Sequence, residues 1–292
     1  AMASPRRPAP SGRRLQRRSA GAVAAAAAVA AGVCWAAASS LSFLGLPPAT
    51  AHRRLSAVSR AAGPFGQPSG KFTLRYFDGR GVAETARILF KIAGEDFEDK
   101  RYPFTFGVPG DFSTIKREEF EADRAAGKMD VAMGKVPVLE AGPDFSLPQS
   151  KAIERFLAGR FGLMGGSPEE AAWVDAVAEH VRDINDAYRS KGVFFMKDAE
   201  KKKEIQDKWF GEELPAMLKK LDKALPGAEG FSVGSKMSLA DVLIFRLLED
   251  TYAEAKSADF AADCPQLQAV AANVGGLAAV QSWLADRPKT MF

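Results

Sequence analysis

Two short segments of the chain carry residue types that could hold a small peptide. The first, Gly134 to Glu140, is a run of apolar and β-branched residues that predicts a buried strand, with Pro137 at its entrance. Proline cannot donate to a sheet ladder, and a cis peptide before it would turn the chain so that the backbone of Val136 faces outward. A backbone exposed in this way can pair with an extended ligand as an added strand would.

The second segment, Leu147 to Ile153, predicts a turn followed by the start of a helix. Gln149 and Ser150 stand at this start, where backbone N–H groups lack a helical partner and the helix dipole is positive, so that a carboxylate is favoured. A site that pairs with a peptide backbone and also holds a carboxylate predicts a small peptide as the ligand.

Together the two segments resemble the glutathione-binding half of the glutathione transferases. The pattern G-K-V-P-V-L-E followed by L-P-Q-S-K-A-I-E-R-F-L is most similar to the sigma class, which includes prostaglandin D synthases and S-crystallins. The resemblance extends from about Phe72 to Phe292. It implies a thioredoxin-like α/β domain followed by an all-α domain, a homodimer, and glutathione as co-substrate without a metal ion.

Tyr76, at the end of a predicted strand, matches the sigma-class tyrosine that activates the thiol of glutathione. A thiol with a pKa near 8.5 is mostly protonated at neutral pH, and only the thiolate attacks an electrophile. Lowering that pKa by about two units requires roughly 2.7 kcal/mol, and one hydrogen bond to a charged group supplies about 1.5–3 kcal/mol. The resemblance therefore implies that Tyr76 is catalytic; the alternative is a tyrosine that only caps its strand.

The resemblance implies further contacts with glutathione. Arg80 matches an arginine that helps to hold the thiolate region, and Phe120 stands where the class usually has a tryptophan facing glutathione. Arg124 matches a basic residue near the glycyl carboxylate, which Lys135 could also reach; the alternative for Arg124 is an exposed helical charge. The expected glutathione-binding residues are Tyr76, Arg80, Phe120, Arg124, Lys135, Val136, Pro137, Gln149, Ser150 and Asp183.

Asp183 belongs to an acidic stripe on a predicted helix from Pro168 to Tyr188. The stripe consists of Asp175, Glu179, Asp183 and Asp186, at spacings of three or four residues that place them on one face. A solvated helix face is one interpretation. The resemblance implies instead that Asp183 reaches across a dimer interface to the amine of glutathione bound to the partner subunit.

Hydrophobic periodicity and turn residues divide the chain after the extension into a domain over 71–165 and a domain over 166–292. The first reads as βαβ, a helix, then ββα, with a loop of Phe, Gly and Pro residues between the second strand and the second helix. The second domain is helical, and a capping box at Ser238 to Asp241 precedes a helix that is apolar nearly all round, as burial requires. The expected elements are strands at 72–77, 97–102, 136–140 and 144–147, and helices at 82–93, 115–126, 149–161, 168–188 and 198–224.

Composition excludes several other functions. Nine of the 40 basic residues lie in residues 1–70, which contain no acid, so that 31 basic and 36 acidic residues remain and give a formal charge of −5. Nucleic acid is therefore not an expected partner. Two cysteines, Cys34 and Cys264, and a single histidine beyond the extension, His180, provide neither a disulfide framework nor metal-ligand spacing.

Residues 1–70 are expected to form a targeting presequence and linker. A basic start is followed by an alanine-rich stretch from Ala20 to Trp35 and small residues, as in a signal peptide, and then by an acid-free segment with Arg53, Arg54 and Arg60, as in a transit peptide. This order resembles the bipartite presequences of algae with complex plastids and predicts a plastid protein. The alternatives are a single organellar transit peptide, a cytoplasmic protein, or membrane contact through residues 20–35.

The predicted function is glutathione transfer to a small electrophile lying between the domains. Peroxide reduction or isomerisation could use the same thiolate. The alternative is a non-catalytic ligand-binding or structural protein with the same fold. These residues do not identify the electrophile, because pocket side chains vary independently of the glutathione site.

Overall fold

The computed structural model describes residues 70–108, 111–228, 230–249, 251–252, 255 and 257–290. The predicted presequence, including the stretch from Ala20 to Trp35, lies outside the described residues. Within the described residues, no helix is both long enough and apolar enough to span a membrane.

A four-stranded mixed sheet forms the centre of the first half. Its strands are β1 (Phe72–Phe77), β2 (Phe97–Tyr102), β5 (Val138–Ala141) and β6 (Ser146–Pro148), in the order β2-β1-β5-β6. β1 is parallel to β2 and antiparallel to β5, and Tyr76, near the end of β1, lies opposite Arg101 of β2 and one residue beyond the pairing with β5.

Three helices accompany the sheet: α1 (Glu84–Ala93), α2 (Glu118–Ala125) and α3 (Ser150–Arg160). In β1, Phe72 and Leu74 point into the core, as the alternation of the sequence predicts. α1 buries Ile88, Leu89 and Phe90 and ends at Gly94. The predicted strands at 72–77 and 97–102 are confirmed.

The connection between β2 and α2 differs from the prediction. Ile115 and Lys116 were expected to open a helix, but they form a short strand, β4 (Ile115–Lys116), paired with β3 (Thr105–Phe106) inside the expected loop. A tertiary pairing therefore decides the local conformation, and α2 begins only at Glu118.

The second half consists of helices, as expected. They are α4 (Pro168–Arg189), α5 (Ala199–Lys208), α6 (Leu214–Ala224), α7 (Leu239–Glu249), α8 (Pro265–Gly275) and α9 (Ala278–Asp286). The single helix expected at 198–224 is interrupted by a π-helical turn, Trp209–Glu213. Ser167 caps α4, accepting a hydrogen bond from the N–H of Glu170.

α7 is the buried helix of this half. Its first turn is fixed by Asp241, whose carboxylate accepts hydrogen bonds from the N–H groups of Ser232 and Ser238 at 2.6 and 2.7 Å. One continuous apolar core contains side chains from β1, α1 and α3 as well as from α4, α6, α7 and α8. The predicted fold, a thioredoxin-like α/β domain followed by an all-α domain, is confirmed.

Candidate active site

The hydroxyl of Tyr76 lies against the backbone that follows β1. Its oxygen accepts a hydrogen bond from the N–H of Val82 at 3.4 Å. Gly81 has a φ of +41°, and a Cβ at this position would lie 2.5 Å from the Tyr76 Oη. Only glycine therefore permits this close approach. Because the oxygen accepts from Val82, the hydroxyl hydrogen of Tyr76 remains to donate to a ligand.

Two arginines hold the turn between Tyr76 and α1. Arg87, which is fully buried, donates from Nη1 to the carbonyl oxygen of Gly79 at 2.7 Å. Arg246, from α7, donates from Nη1 to the carbonyl oxygen of Gly81 at 3.1 Å. The loop beside the Tyr76 hydroxyl is thus tied both to its own domain and to the helical half.

The segment before β5 has an available backbone. The Val136–Pro137 peptide is cis, which agrees with the sequence expectation. Pro137 is buried, and Val138 is the first residue paired with β1, through Arg75. Among the described residues, none hydrogen-bonds to the backbone of Val136, so that this backbone can pair with a peptide ligand.

Gln149 and Ser150 form the second part of the predicted peptide site. Gln149 has φ +73° and ψ +113°, a sparsely populated conformation for a residue with a side chain. Such conformations concentrate at binding and catalytic sites. Ser150 is the first residue of α3, where N–H groups are not used within the helix, so an anion is favoured there.

Two cations lie near the cis-proline segment. Arg124 packs over Gly134, since a Cβ on that glycine would lie 3.3 Å from the Arg124 Cδ. The guanidinium of Arg124 also forms an ion pair with Glu121 on the same helix. Lys135 is exposed, directly before Val136. The structure therefore brings Arg124 close to the segment that contains Lys135 and Val136.

The structure does not place Phe120 at the surface of the site. Its side chain is only 2% exposed, and its ring packs against those of Phe77 and Tyr102 at centroid distances of 5.0 and 5.7 Å. The expectation that this ring faces glutathione is corrected: removing an aromatic ring from water is favourable, and these contacts leave almost none of it exposed. Phe120 belongs to the small cluster against which Val136 packs.

Arg80 lies on the side of the turn that faces the C-terminal segment, residues 284–290. It lines a cavity of about 260 Å³ with six residues of the C-terminal segment. These residues are Leu284, Ala285, Arg287, Pro288, Lys289 and Thr290. The described lining includes three basic side chains, Arg80, Arg287 and Lys289, and Arg287 is paired with the Glu84 carboxylate at 2.8 Å.

Asp183 stands apart from the other predicted residues. It is exposed on α4, and within the described part of the chain its side chain makes no ion pair or hydrogen bond. The other acids of the stripe are paired. Arg155 of α3 contacts Asp175 and Glu179, and Arg189 contacts Asp186.

Sequence reasoning missed a buried polar cluster that joins the two halves. Glu84 is 1% exposed and accepts from Trp283 Nε1 at 2.9 Å and from Arg287 Nη1 at 2.8 Å. Burial by itself would raise the pKa of Glu84, but the hydrogen bonds from Arg287 and Trp283 and the charges of Arg246 and Arg87 lower it below its usual value. Only the Glu84–Arg87 pair, three residues apart, could have been read from local spacing.

Comparison with known proteins decides the family. Residues 72–159 match the model described as glutathione S-transferase, N-terminal domain, and residues 185–287 match glutathione S-transferase, C-terminal domain. The chain is 33% identical over 227 residues to glutathione S-transferase 1 of Ascaris suum, covering 76% of this chain and 99% of that protein. The chain belongs to the glutathione S-transferase family. It is a glutathione transferase.

Other relatives of this transferase include sigma-like proteins. Hematopoietic prostaglandin D synthase of Gallus gallus is 33% identical over 75% of this chain and 98% of its own length. S-crystallin SL11 of Nototodarus sloanii is 30% identical over 76% of this chain and 98% of its own length.

Solved structures agree with this assignment. A Nu-class transferase from Haemonchus contortus is 28% identical, with a TM-score of 0.61, over 76% of this chain and 99% of that one. A hookworm transferase from Necator americanus, described as monomeric, is 26% identical with a TM-score of 0.62, over 76% of this chain and 100% of that one.

Proposed function

We propose that this glutathione transferase joins glutathione to small electrophiles and that Tyr76 is its catalytic residue. The observation that carries the proposal is the position of the Tyr76 hydroxyl, fixed between Gly81 and the N–H of Val82. A hydroxyl that donates to sulfur favours the thiolate, which attacks an electrophilic carbon and forms a C–S bond as the leaving group departs.

The peptide part of glutathione is bound away from the reacting sulfur. Its backbone pairs with Val136, and a carboxylate lies at the start of α3, beside Gln149 and Ser150. Arg124, which approaches Gly134, and Lys135 supply positive charge near Val136 for the other carboxylate. This division predicts that binding and activation of glutathione can be changed separately.

The test is Tyr76→Phe, which keeps the ring and removes the hydroxyl. We expect the glutathione dissociation constant to stay within about two-fold of the parent and turnover of a generic aryl halide at neutral pH to fall roughly ten- to a hundred-fold, since a hydrogen bond to a charged group contributes about 1.5–3 kcal/mol. A pH–rate profile should place the thiol pKa higher in the variant. The same apparent thiol pKa in both proteins would refute the assignment.

A non-catalytic role is the second candidate, favoured by the similarity to an S-crystallin. It predicts that the parent protein binds glutathione but does not lower its thiol pKa and does not turn over aryl halides, organic peroxides or isomerisable substrates. The similarity to a prostaglandin D synthase supports testing isomerisation by the same thiolate. Turnover of any of these substrates that depends on Tyr76 would rule out the non-catalytic role.

We further propose that residues 1–70 direct the protein to a plastid and are removed. Nine arginines without a single acid, in the order of a signal peptide followed by a transit peptide, support this. N-terminal sequencing of protein from its native source should find a start near residue 70. A start near Ala1 would refute the removal, and a start near Phe43 would place the protein between two cleavages.

A further inference from the structure

We propose that Arg246 is a positioning residue for Tyr76 and acts through the peptide unit between Gly81 and Val82. This inference rests on the proposed function, because it concerns how the Tyr76 hydroxyl holds sulfur as the thiolate. Arg246 is separated from Gly81 by 165 positions in the sequence and comes from the helical half of the molecule.

The Gly81–Val82 peptide lies between the two side chains. Arg246 Nη1 donates to the carbonyl oxygen of this peptide at 3.1 Å, and the N–H of the same peptide donates to the Tyr76 Oη at 3.4 Å. The C=O and N–H of a planar trans peptide point in opposite directions. A guanidinium that fixes the carbonyl therefore also directs the N–H toward the phenolic oxygen.

The hydrogen bond to Tyr76 is sensitive to this orientation. At 3.4 Å it is longer than the usual N–H···O range. A small tilt of the peptide would break it. Hydrogen bonds in a chain also polarise one another, by about 10–30% per bond. A guanidinium at the far end of the chain thus makes the Tyr76 hydroxyl a stronger donor toward sulfur.

Arg87 holds the preceding part of the turn but not this peptide. Its Nη1 donates to the carbonyl oxygen of Gly79 at 2.7 Å and to that of Arg80 at 3.4 Å. Arg87 comes from α1, within the same half of the molecule as Tyr76. The carbonyl of Gly81 belongs to the peptide that contacts the hydroxyl, and it is held by Arg246 from the helical half. Correct packing of α7 is therefore needed for full activation of the thiol.

Arg246 also has contacts that a purely structural role would explain. It donates to the Thr85 hydroxyl at 3.4 Å, and its charge lowers the pKa of the Glu84 carboxyl. A direct effect of its charge on a nearby thiolate is a further alternative. A test must therefore separate action through Tyr76 from stability and from long-range charge.

The decisive experiment is a double-mutant cycle of Arg246→Gln and Tyr76→Phe. The readout is the pKa of enzyme-bound glutathione, followed by the ultraviolet absorbance of its thiolate. With Tyr76 present, Arg246→Gln should raise this pKa by about 0.3–1 unit, the range that one neutral hydrogen bond corresponds to. With Phe at position 76 the same change should have no effect. A shift of equal size in both backgrounds would indicate a direct charge effect and overturn the proposal.

Arg287→Gln is the matched control. Arg287 also joins the helical half to α1, but its contact is the Glu84 carboxylate and not the Gly81 carbonyl. We expect it to lower the melting temperature without shifting the thiol pKa. A thiol pKa raised as much as by Arg246→Gln would assign the effect to loosened domains and overturn the proposal.

A second variant keeps the test decisive if Arg246→Gln does not fold. Arg246→Lys retains the charge but has a shorter, single donor group. It should raise the thiol pKa measurably, within the same range of about 0.3–1 unit, again only with Tyr76 present. If the folded variant has the same thiol pKa as the parent, this inference is overturned but the proposed function is not. A parent protein that does not lower the thiol pKa would overturn the proposed function as well.

Discussion

In the proposed mechanism, the thiol is activated where Gly81 meets the Tyr76 hydroxyl. We expect Gly81→Ala to displace the Tyr76 hydroxyl, because the added Cβ would lie 2.5 Å from its oxygen. The thiol pKa of bound glutathione should rise toward its value in solution. Turnover at neutral pH should fall about ten-fold or more, because one hydrogen bond to a charged group is lost. The measurements are a pH–rate profile and a thiolate titration.

Gly94→Ala is the control for this substitution. Gly94 also has a positive φ, +62°, but a Cβ there would meet no atom within 4 Å. Both substitutions carry the backbone cost of placing alanine in a left-handed conformation, about 1–2 kcal/mol. Only Gly81→Ala should alter the thiol. Equal thiol pKa values in the two variants and the parent would show that the hydroxyl does not depend on this contact.

Two features expected from the neighbouring sequence are present in the structure. A cis peptide before Pro137 was expected from the strand that follows it, and the peptide is cis. Tyr76 was expected at the end of the first strand, and it lies there. Three other features could not be predicted from neighbouring residues. They are the crowding at Gly81, the positive φ of Gln149 and the hydrogen bond from Arg246. They arise only when distant elements pack together.

The contact between α1 and α9 is centred on one buried carboxylate. We expect Glu84→Gln to lower the free energy of unfolding by about 1–3 kcal/mol, because Trp283 and Arg287 lose a charged acceptor. The folded-state pKa of Glu84 is lowered, so its contribution is fully present above the unfolded-state pKa of about 4.3 and is lost as the pH falls through the folded-state value. The stability of the parent should therefore decline more steeply below pH of about 5 than that of the variant.

Urea unfolding of both proteins between neutral and acid pH measures this difference. Glu119→Gln is a suitable control, since its carboxylate pairs with Lys100 on the surface at 2.9 Å. Exposed pairs contribute about 0–1 kcal/mol, so this variant should follow the parent at every pH. Parallel pH profiles for Glu84→Gln and the parent would contradict the assigned role.

Element boundaries were predicted well where side-chain periodicity alone decides them. The strands at 72–77 and 97–102 and the helix from Pro168 follow their patterns closely. The pairing of β3 with β4 and the π-helical turn at Trp209–Glu213 were missed, because each depends on partners in the folded chain. Trp209, fully buried in the helical core, is an example of packing that overrides local helical regularity.

At the scale of the whole molecule, the exposed apolar residues bear on assembly. Met133 is 85% exposed, in the turn before Lys135, and Val131 and Trp173 are exposed at 45% and 47%. Members of this family commonly form dimers, whereas one of the similar structures is described as monomeric. We propose a homodimer for this chain, which would cover part of this apolar surface.

Asp183 tests whether the dimer completes the glutathione site. The neighbouring acids Asp175, Glu179 and Asp186 are neutralised by arginines of the same chain, whereas the Asp183 carboxylate has no such partner in the described part of the chain. A carboxylate without a cation from its own chain can bind one from outside the subunit. The amine of glutathione bound to the partner subunit is such a cation.

We therefore expect Asp183→Asn to weaken glutathione binding without separating the subunits. Loss of a charge-assisted hydrogen bond should cost about 1.5–3 kcal/mol, or roughly ten- to a hundred-fold in the dissociation constant. Asp186→Asn is the matched control on the same helix, because its carboxylate already pairs with Arg189 at 3.2 Å, and it should change binding less than about three-fold. Titration calorimetry measures both variants, and sedimentation reports the assembly. If Asp183→Asn binds glutathione as tightly as the parent does, the acidic stripe is only a solvated helix face. If the parent sediments as a monomer, Asp183 cannot act across an interface.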